Sequence, residues 1–162
     1  MRLIEVRQPR EHDVVGRRFT LAGFGTGFEA TVLWRLLGED GNPLAEGLVQ
    51  GAGGNGVIQD FGHDVLLPSS VSARGDHVVL QVFGDDASGE HPPGTDLNEV
   101  RVTLFTGLQG WRLHEVIRGD TLSEIARDVG ENIRFQDAFE ANRDLLTDPD
   151  VIVPGQVLRV PL

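Results

Sequence analysis

The sequence predicts a mixed fold, an antiparallel β-sandwich over about the first two thirds of the chain and then a small α+β unit of order β-α-α-β. Three observations carry this. Short apolar runs recur between turn signals up to about residue 106, and the clearest of them alternates at period two. Twenty-one glycines and eight prolines punctuate the 162 residues, which favours a β-rich body over a helical one. After residue 110 the pattern changes to one strand, two stretches at helical spacing and a last strand.

In chain order, residues 3–6 (L-I-E-V) read as an opening strand that ends before Pro9, and 13–16 with 19–23 supply a second strand region. In 28–37 (F-E-A-T-V-L-W-R-L-L), Phe28, Ala30, Val32, Trp34 and Leu36 alternate onto one face, with Glu29, Thr31 and Arg35 on the other. That is a strand with one buried side, and Trp34 is its central core residue. The E-D-G-N stretch at 39–42 is a tight turn, and 43–49 returns from it. Further strands are expected at 57–67, 77–83 and 99–105, with a polar loop at 85–96 that contains Pro92 and Pro93. Seven or so short strands with regular turn signals make a sandwich.

The glycine-containing stretch 107–110 is expected to separate the units, giving 1–106 and 111–162; it is too short to be a long tether, so the two should sit close together. Residues 111–117 form a strand and R-G-D at 118–120 turns the chain. In T-L-S-E at 121–124, the Thr121 hydroxyl can take the Glu124 amide while the Glu124 carboxylate reaches back, a capping box. Leu122, Ile125, Ala126 and Val129 then share a helical face that Gly130 ends. A second helix is expected from about Ile133, with Phe135, Ala138, Phe139 and Asn142 on one face. D-P-D at 148–150 breaks it, and 151–155 loops into a strand over 156–160.

Composition excludes several classes. The net charge is −11, and both parts are acidic: 8 Arg against 15 acids before residue 111, 6 against 10 after it. No basic stripe appears, all fourteen basic residues are Arg, and nucleic acid is not an expected partner. There is no cysteine, hence no disulfide or thiolate chemistry. No apolar run reaches the ~18 residues that a membrane span needs, and the N-terminus lacks a signal-peptide pattern, so neither membrane insertion nor a standard export signal is expected.

Chemical motifs are few. Residues 51–56 (G-A-G-G-N-G) match the dinucleotide fingerprint in letters, but no helix follows to hold a pyrophosphate, so a flexible hairpin loop is the better reading. His12, His63, His77, His91 and His114 are scattered, with no ligand-like spacing and no metal site expected. Asp85, Asp86, Glu90 and Asp96 lack EF-hand spacing and read as a solvated loop. No nucleophile elbow or placed carboxylate pair is visible, and no enzymatic activity or cofactor is expected.

Two resemblances follow from these residues. An early I-x-V…P, then F-T-L-A-G, F-E-A-T-V-L-W-R-L, the D-G turn and a final V-x-V-x-L resemble the immunoglobulin-like domain of bacterial spore germination proteins, over roughly 3–106. This implies a structural or interaction module, with a protein partner expected on the sandwich, and no catalytic residue. H-E-V-I-R-G-D-T-L-S-E-I-A at 114–126, F-E-A-N-R-D at 139–144 and I-V-P-G-Q-V-L-R-V-P at 152–161 resemble the LysM domain. That resemblance implies binding of GlcNAc-containing glycans, chiefly peptidoglycan or chitin, in a shallow groove between two loops. By position these are Gly119, Asp120, Thr121 and Leu122, and Val151, Ile152, Val153, Pro154 and Gly155.

Four of these residues and the nearby Asn142 also have structural readings: Thr121 as helix cap, Asp120 at the helix dipole, Asn142 as a buried amide, Ile152 and Pro154 as core. The expected function is a non-enzymatic, cell-wall-associated glycan-binding protein if exported by another route. The alternative is a cytoplasmic assembly or ion-sensing protein that reuses the LysM fold, since LysM modules also occur in phage-tail-like assemblies and in a small cytoplasmic potassium-binding protein, which the C-terminal segment resembles.

Overall fold

The computed structural model describes residues 3–84 and 96–162. The expectations for Asp85, Asp86, Glu90, His91, Pro92 and Pro93 lie outside the described residues.

Among the described residues, eight strands build the first unit: β1 (Ile4–Gln8), β2 (Val14–Val15), β3 (Arg18–Gly25), β4 (Thr31–Leu37), β5 (Pro43–Gln50), β6 (Gln59–Leu66), β7 (Arg74–Gly84) and β8 (Asn98–Phe105). They form a three-stranded sheet, β1-β3-β6, and a five-stranded sheet, β2-β8-β7-β4-β5. Every pairing is antiparallel except the two-residue match of β2 with β8. Alternation decides what faces inward. Phe19 and Leu21 of β3 and Phe61 and Val65 of β6 meet Val32, Trp34 and Leu36 of β4, Leu80 and Val82 of β7, and Val102 of β8 in one core. Full burial of each such side chain is worth about 1.5–3 kcal/mol.

Trp34 is the central core residue, 6% exposed. It lies opposite Gly47 in the β4–β5 pairing, and a Cβ on that glycine would stand 2.8 Å from the indole. The strand therefore leaves out a side chain where the largest one needs room. Among the described residues the buried Trp34 indole N–H finds no acceptor.

Two expectations for this unit need correcting. The strand begins at Thr31, and Phe28–Ala30 forms a single 3₁₀ turn, in which Glu29 and Ala30 hold left-handed φ values of 50° and 61°. Alternation therefore stops short, and Phe28 is left 46% exposed. Residues 51–56 are no hairpin. They carry the chain from β5 in one sheet to β6 in the other, anchored by Gly53 N–H to Gly25 O and Gly27 N–H to Gly53 O, both 2.9 Å.

The second unit has the expected order: β9 (Trp111–Glu115), α1 (Leu122–Val129), α2 (Phe135–Glu140) and β10 (Val157–Pro161). Its core holds Val116, Leu122, Ile125, Ala138, Phe139, Leu146, Leu158 and Val160. Asn142 is completely buried at its centre. Its amide donates to Ala138 O (2.6 Å) and Arg159 O (2.7 Å), and its oxygen accepts the Arg159 N–H (2.8 Å). This fixes the end of α2 to β10 and satisfies backbone groups that would otherwise be buried unpaired.

The units touch directly. Val14, Phe105 and Ala141 form a small apolar cluster with Leu108 beside it, and Gln109 N–H bonds to Leu162 O while Leu162 N–H bonds to Gly110 O.

Candidate functional site

The β9–β10 ribbon positions the two candidate loops. Its register runs from Trp111↔Pro161 to Glu115↔Val157. Two more backbone bonds, Val116 N–H to Gln156 O and Gly155 N–H to Val116 O (both 2.8 Å), extend it past the last pair. Residues 117–122 and 151–155 therefore leave the ribbon at the same end.

In the first loop the chain reverses at Gly119, whose φ of +100° is unfavourable for any residue with a Cβ. Asp120 closes the turn. Its Oδ2 accepts the Ile117 N–H (3.1 Å) and faces His114 Nε2 at 2.7 Å. The His114 hydrogen bond, followed by the Ile117 N–H, holds the Asp120 carboxyl below its ordinary pKa. Asp120 is thus a turn lock, with Oδ1 unpartnered among the described residues. Thr121 caps α1 by accepting the Glu124 N–H at 3.2 Å, and its hydroxyl donates to the Glu124 carboxylate at 2.9 Å. Leu122 is 2% exposed and belongs to the core.

The second loop is braced from within. Asp148 Oδ1 accepts the Asp150 N–H (2.8 Å), and Gln156 Oε1 accepts the Val153 N–H (2.8 Å). Gly155 sits at φ +91° with nothing within 4 Å of where a Cβ would stand. Ile152 packs against the core; Val151, Val153, Pro154 and Gly155 are exposed. Of the nine candidates, then, Leu122 and Ile152 are core groups, Asp120 and Thr121 shape the first loop, and the other five face solvent.

Three contributors were not foreseen. Ile117, 65% exposed, adds an apolar side chain at the base of the first loop. His114 and Gln156 brace the two loops through Asp120 and Val153. The six-residue separation of His114 and Asp120 across a strand-turn was the one legible hint.

A second constellation lies where α2 meets the sandwich. Arg74 of β7 grips Asp137 with two bonds, Nε to Oδ1 at 3.0 Å and Nη2 to Oδ2 at 2.8 Å, and Nη2 also reaches Asn132 O at 2.9 Å. Arg134 approaches the same carboxylate from its own backbone N–H (2.9 Å) and from Nη2 (2.9 Å). Burial raises the pKa of Asp137, 3% exposed, but the hydrogen bonds from Arg74 and Arg134 outweigh it and leave the carboxyl far below the usual range. Beyond this, His77 Nε2 lies 2.8 Å from Glu140 Oε2. A cavity of about 550 Å³, lined in part by Arg74, Phe105, Leu108, Ile133 and Asp137, opens beside the pair. Because the Asp137 oxygens are fully engaged, the group serves as a structural contact.

Comparison with known proteins agrees with this architecture. A family model described as the immunoglobulin-like domain of bacterial spore germination matches residues 3–90, and a LysM domain model matches 114–161. The potassium binding protein Kbp of Escherichia coli O6:H1 is 47% identical over 62 residues, 38% of this chain and 42% of that protein. A kinesin-like protein of Drosophila melanogaster is 50% identical over 52 residues, 32% of this chain and 4% of that protein. The chain therefore spans less than half the length of either relative. With more than half of its residues inside the first match, the chain belongs to the family of the immunoglobulin-like domain of bacterial spore germination, joined here to a LysM domain.

Proposed function

We propose that this protein is a non-enzymatic binder of GlcNAc-containing glycan, peptidoglycan foremost, and that 119–122 and 151–155 form the contact. LysM domains in general bind such glycans, which supports the class. The observation that carries the reading is the ribbon register, which brings the two loops out at one end with Ile117, Val151 and Val153 exposed around them. An N-acetyl methyl group needs such a small apolar surface, and a sugar hydroxyl can donate to the unpartnered Oδ1 of Asp120. The sandwich serves as an interaction or positioning module, with the division between units at 107–110. One module gives modest affinity, so firm attachment to a wall would require avidity.

Titration of the labelled full chain with chitin oligomers, together with sedimentation on purified peptidoglycan, tests this. The expected result is shifts at the amides of Gly119 and Gly155 and co-pelleting; silent loops with no pelleting would overturn it.

A second reading is favoured by the likeness to the potassium binding protein. In it the LysM fold serves ion sensing or assembly in the cytoplasm without binding glycan. A melting temperature that rises with K⁺ but not with Na⁺, in a chain deaf to glycans, would establish it.

A further inference from the structure

Where residues 8–20 of the sandwich approach 108–111, a cleft of about 320 Å³ opens, at the lower end of the range for small-ligand sites, about 300–1,000 Å³. Its walls carry Trp111, Arg18, Gln8 and Gln109, all exposed, and Asp13. Trp111 is 41% exposed, whereas Trp34 is buried in the core. Among the described residues, the indole N–H of Trp111, the guanidinium of Arg18 and the side-chain amides of Gln8 and Gln109 donate to no acceptor. Asp13 Oδ2 accepts the Arg10 N–H at 2.8 Å.

These groups suit a particular chemistry. A half-solvated indole offers a flat apolar face with a polar edge, matching the C–H face of a pyranose ring whose hydroxyls stay wet. Planar glutamine amides can both donate to and accept from an N-acetyl group. An arginine without a carboxylate partner presents a fork that fits a carboxylate in a bidentate manner. We infer that the cleft between the sandwich and the LysM domain is a second saccharide subsite, taking one carboxylate-bearing N-acetyl sugar. This rests on the glycan-binding reading but uses different residues. Trp111 stands at the opposite end of β9 from the loops, four strand steps or about 14 Å along the ribbon. One strand reaching both sites would bind more tightly than either site alone allows.

The test uses the ¹⁵N-labelled full chain, which has only two indole N–H signals. GlcNAc-MurNAc disaccharide, with its free carboxylate, is titrated against the neutral GlcNAc disaccharide. The Trp111 indole and the side-chain amides of Gln8 and Gln109 are expected to move, with about tenfold weaker binding of the neutral sugar. Arg18→Gln should remove that difference, a loss equivalent to about 1.4 kcal/mol. Trp111→Ala should abolish the cleft response while Gly119 and Gly155 still shift, and Trp111→Phe should restore part of it. An unchanged Trp34 indole signal reports that each variant is folded. A still Trp111 signal beside responding loops overturns the subsite and leaves the loop reading intact. Silent loops beside a moving Trp111 do the reverse. Equal response to both sugars overturns the carboxylate assignment, and silence everywhere overturns both.

Discussion

The α2 face and the loop end of the LysM domain are built by opposite means. The α2 face is closed by charge: Asp137 is nearly inaccessible, held by two guanidiniums and a backbone amide, and backed by the apolar contact of Ala141 with Val14 and Phe105. The loop end is held by backbone bonds and short side chains, and it leaves apolar groups in water. A surface whose hydrogen-bonding groups are consumed internally has little left to offer a ligand. A braced surface with unspent acceptors and exposed apolar groups does. Under the proposed glycan-binding reading, the difference gives assembly to one face and recognition to the other.

The largest expected effect comes from removing the charged grip. Asp137→Ala strands Arg74 and Arg134 and uncaps α2, with a loss of about 3 kcal/mol, at the low end for a broken buried pair because both guanidiniums can return to water. Urea denaturation should show it, while the loop amides keep their response to glycan. If glycan binding falls in step, the two faces are not independent.

Acid probes the same contact. A carboxyl whose folded pKa is depressed contributes its stability above the unfolded value, about 3.9, and that stability is lost as the pH falls through the folded value. For Asp137 the loss starts below about pH 4. A stability profile down to pH 2 should steepen there, and Asp137→Asn should flatten it by about one proton.

At the loop end the expected costs are smaller. Thr121→Ala removes the cap of α1 and should cost about 1 kcal/mol. Gly155→Ala meets no steric contact, so its penalty, also about 1 kcal/mol, comes from the left-handed backbone alone. Both should weaken glycan binding more than their stability loss implies, seen by comparing calorimetric affinities with melting data. The smallest effect is expected from His77→Ala, a few tenths of a kcal/mol, because its contact with Glu140 is partly open to solvent. A loss above 1 kcal/mol would show that this part of the docking face is tighter than its exposure indicates.

How far the sequence spoke depended on the range of the interaction. The β-α-α-β order, the cap at Thr121 and the buried amide of Asn142 were all legible, since spacing within a few residues encodes them. The end of alternation before Thr31 was not, because it depends on left-handed backbone at Glu29 and Ala30, residues with no special preference for it. Nor was the crossover at 51–56, where the glycines match a hairpin loop and a sheet switch equally well. The Arg74–Asp137 contact spans 63 residues and leaves no local trace. The candidate loop residues were found by likeness to a family; their division into core, braces and exposed groups came from burial.

The ribbon register has a practical consequence for attachment geometry. Leu162 is tied back to Gln109 and Gly110, beside the Trp111 end, so the loops lie about 14 Å away along β10. A tether placed after Leu162 would hold the molecule from behind and leave the loops pointing away from the support. Immobilised this way, a weak module on a dense surface would display its contacts in one common orientation, the arrangement in which many shallow grips add up to a firm one.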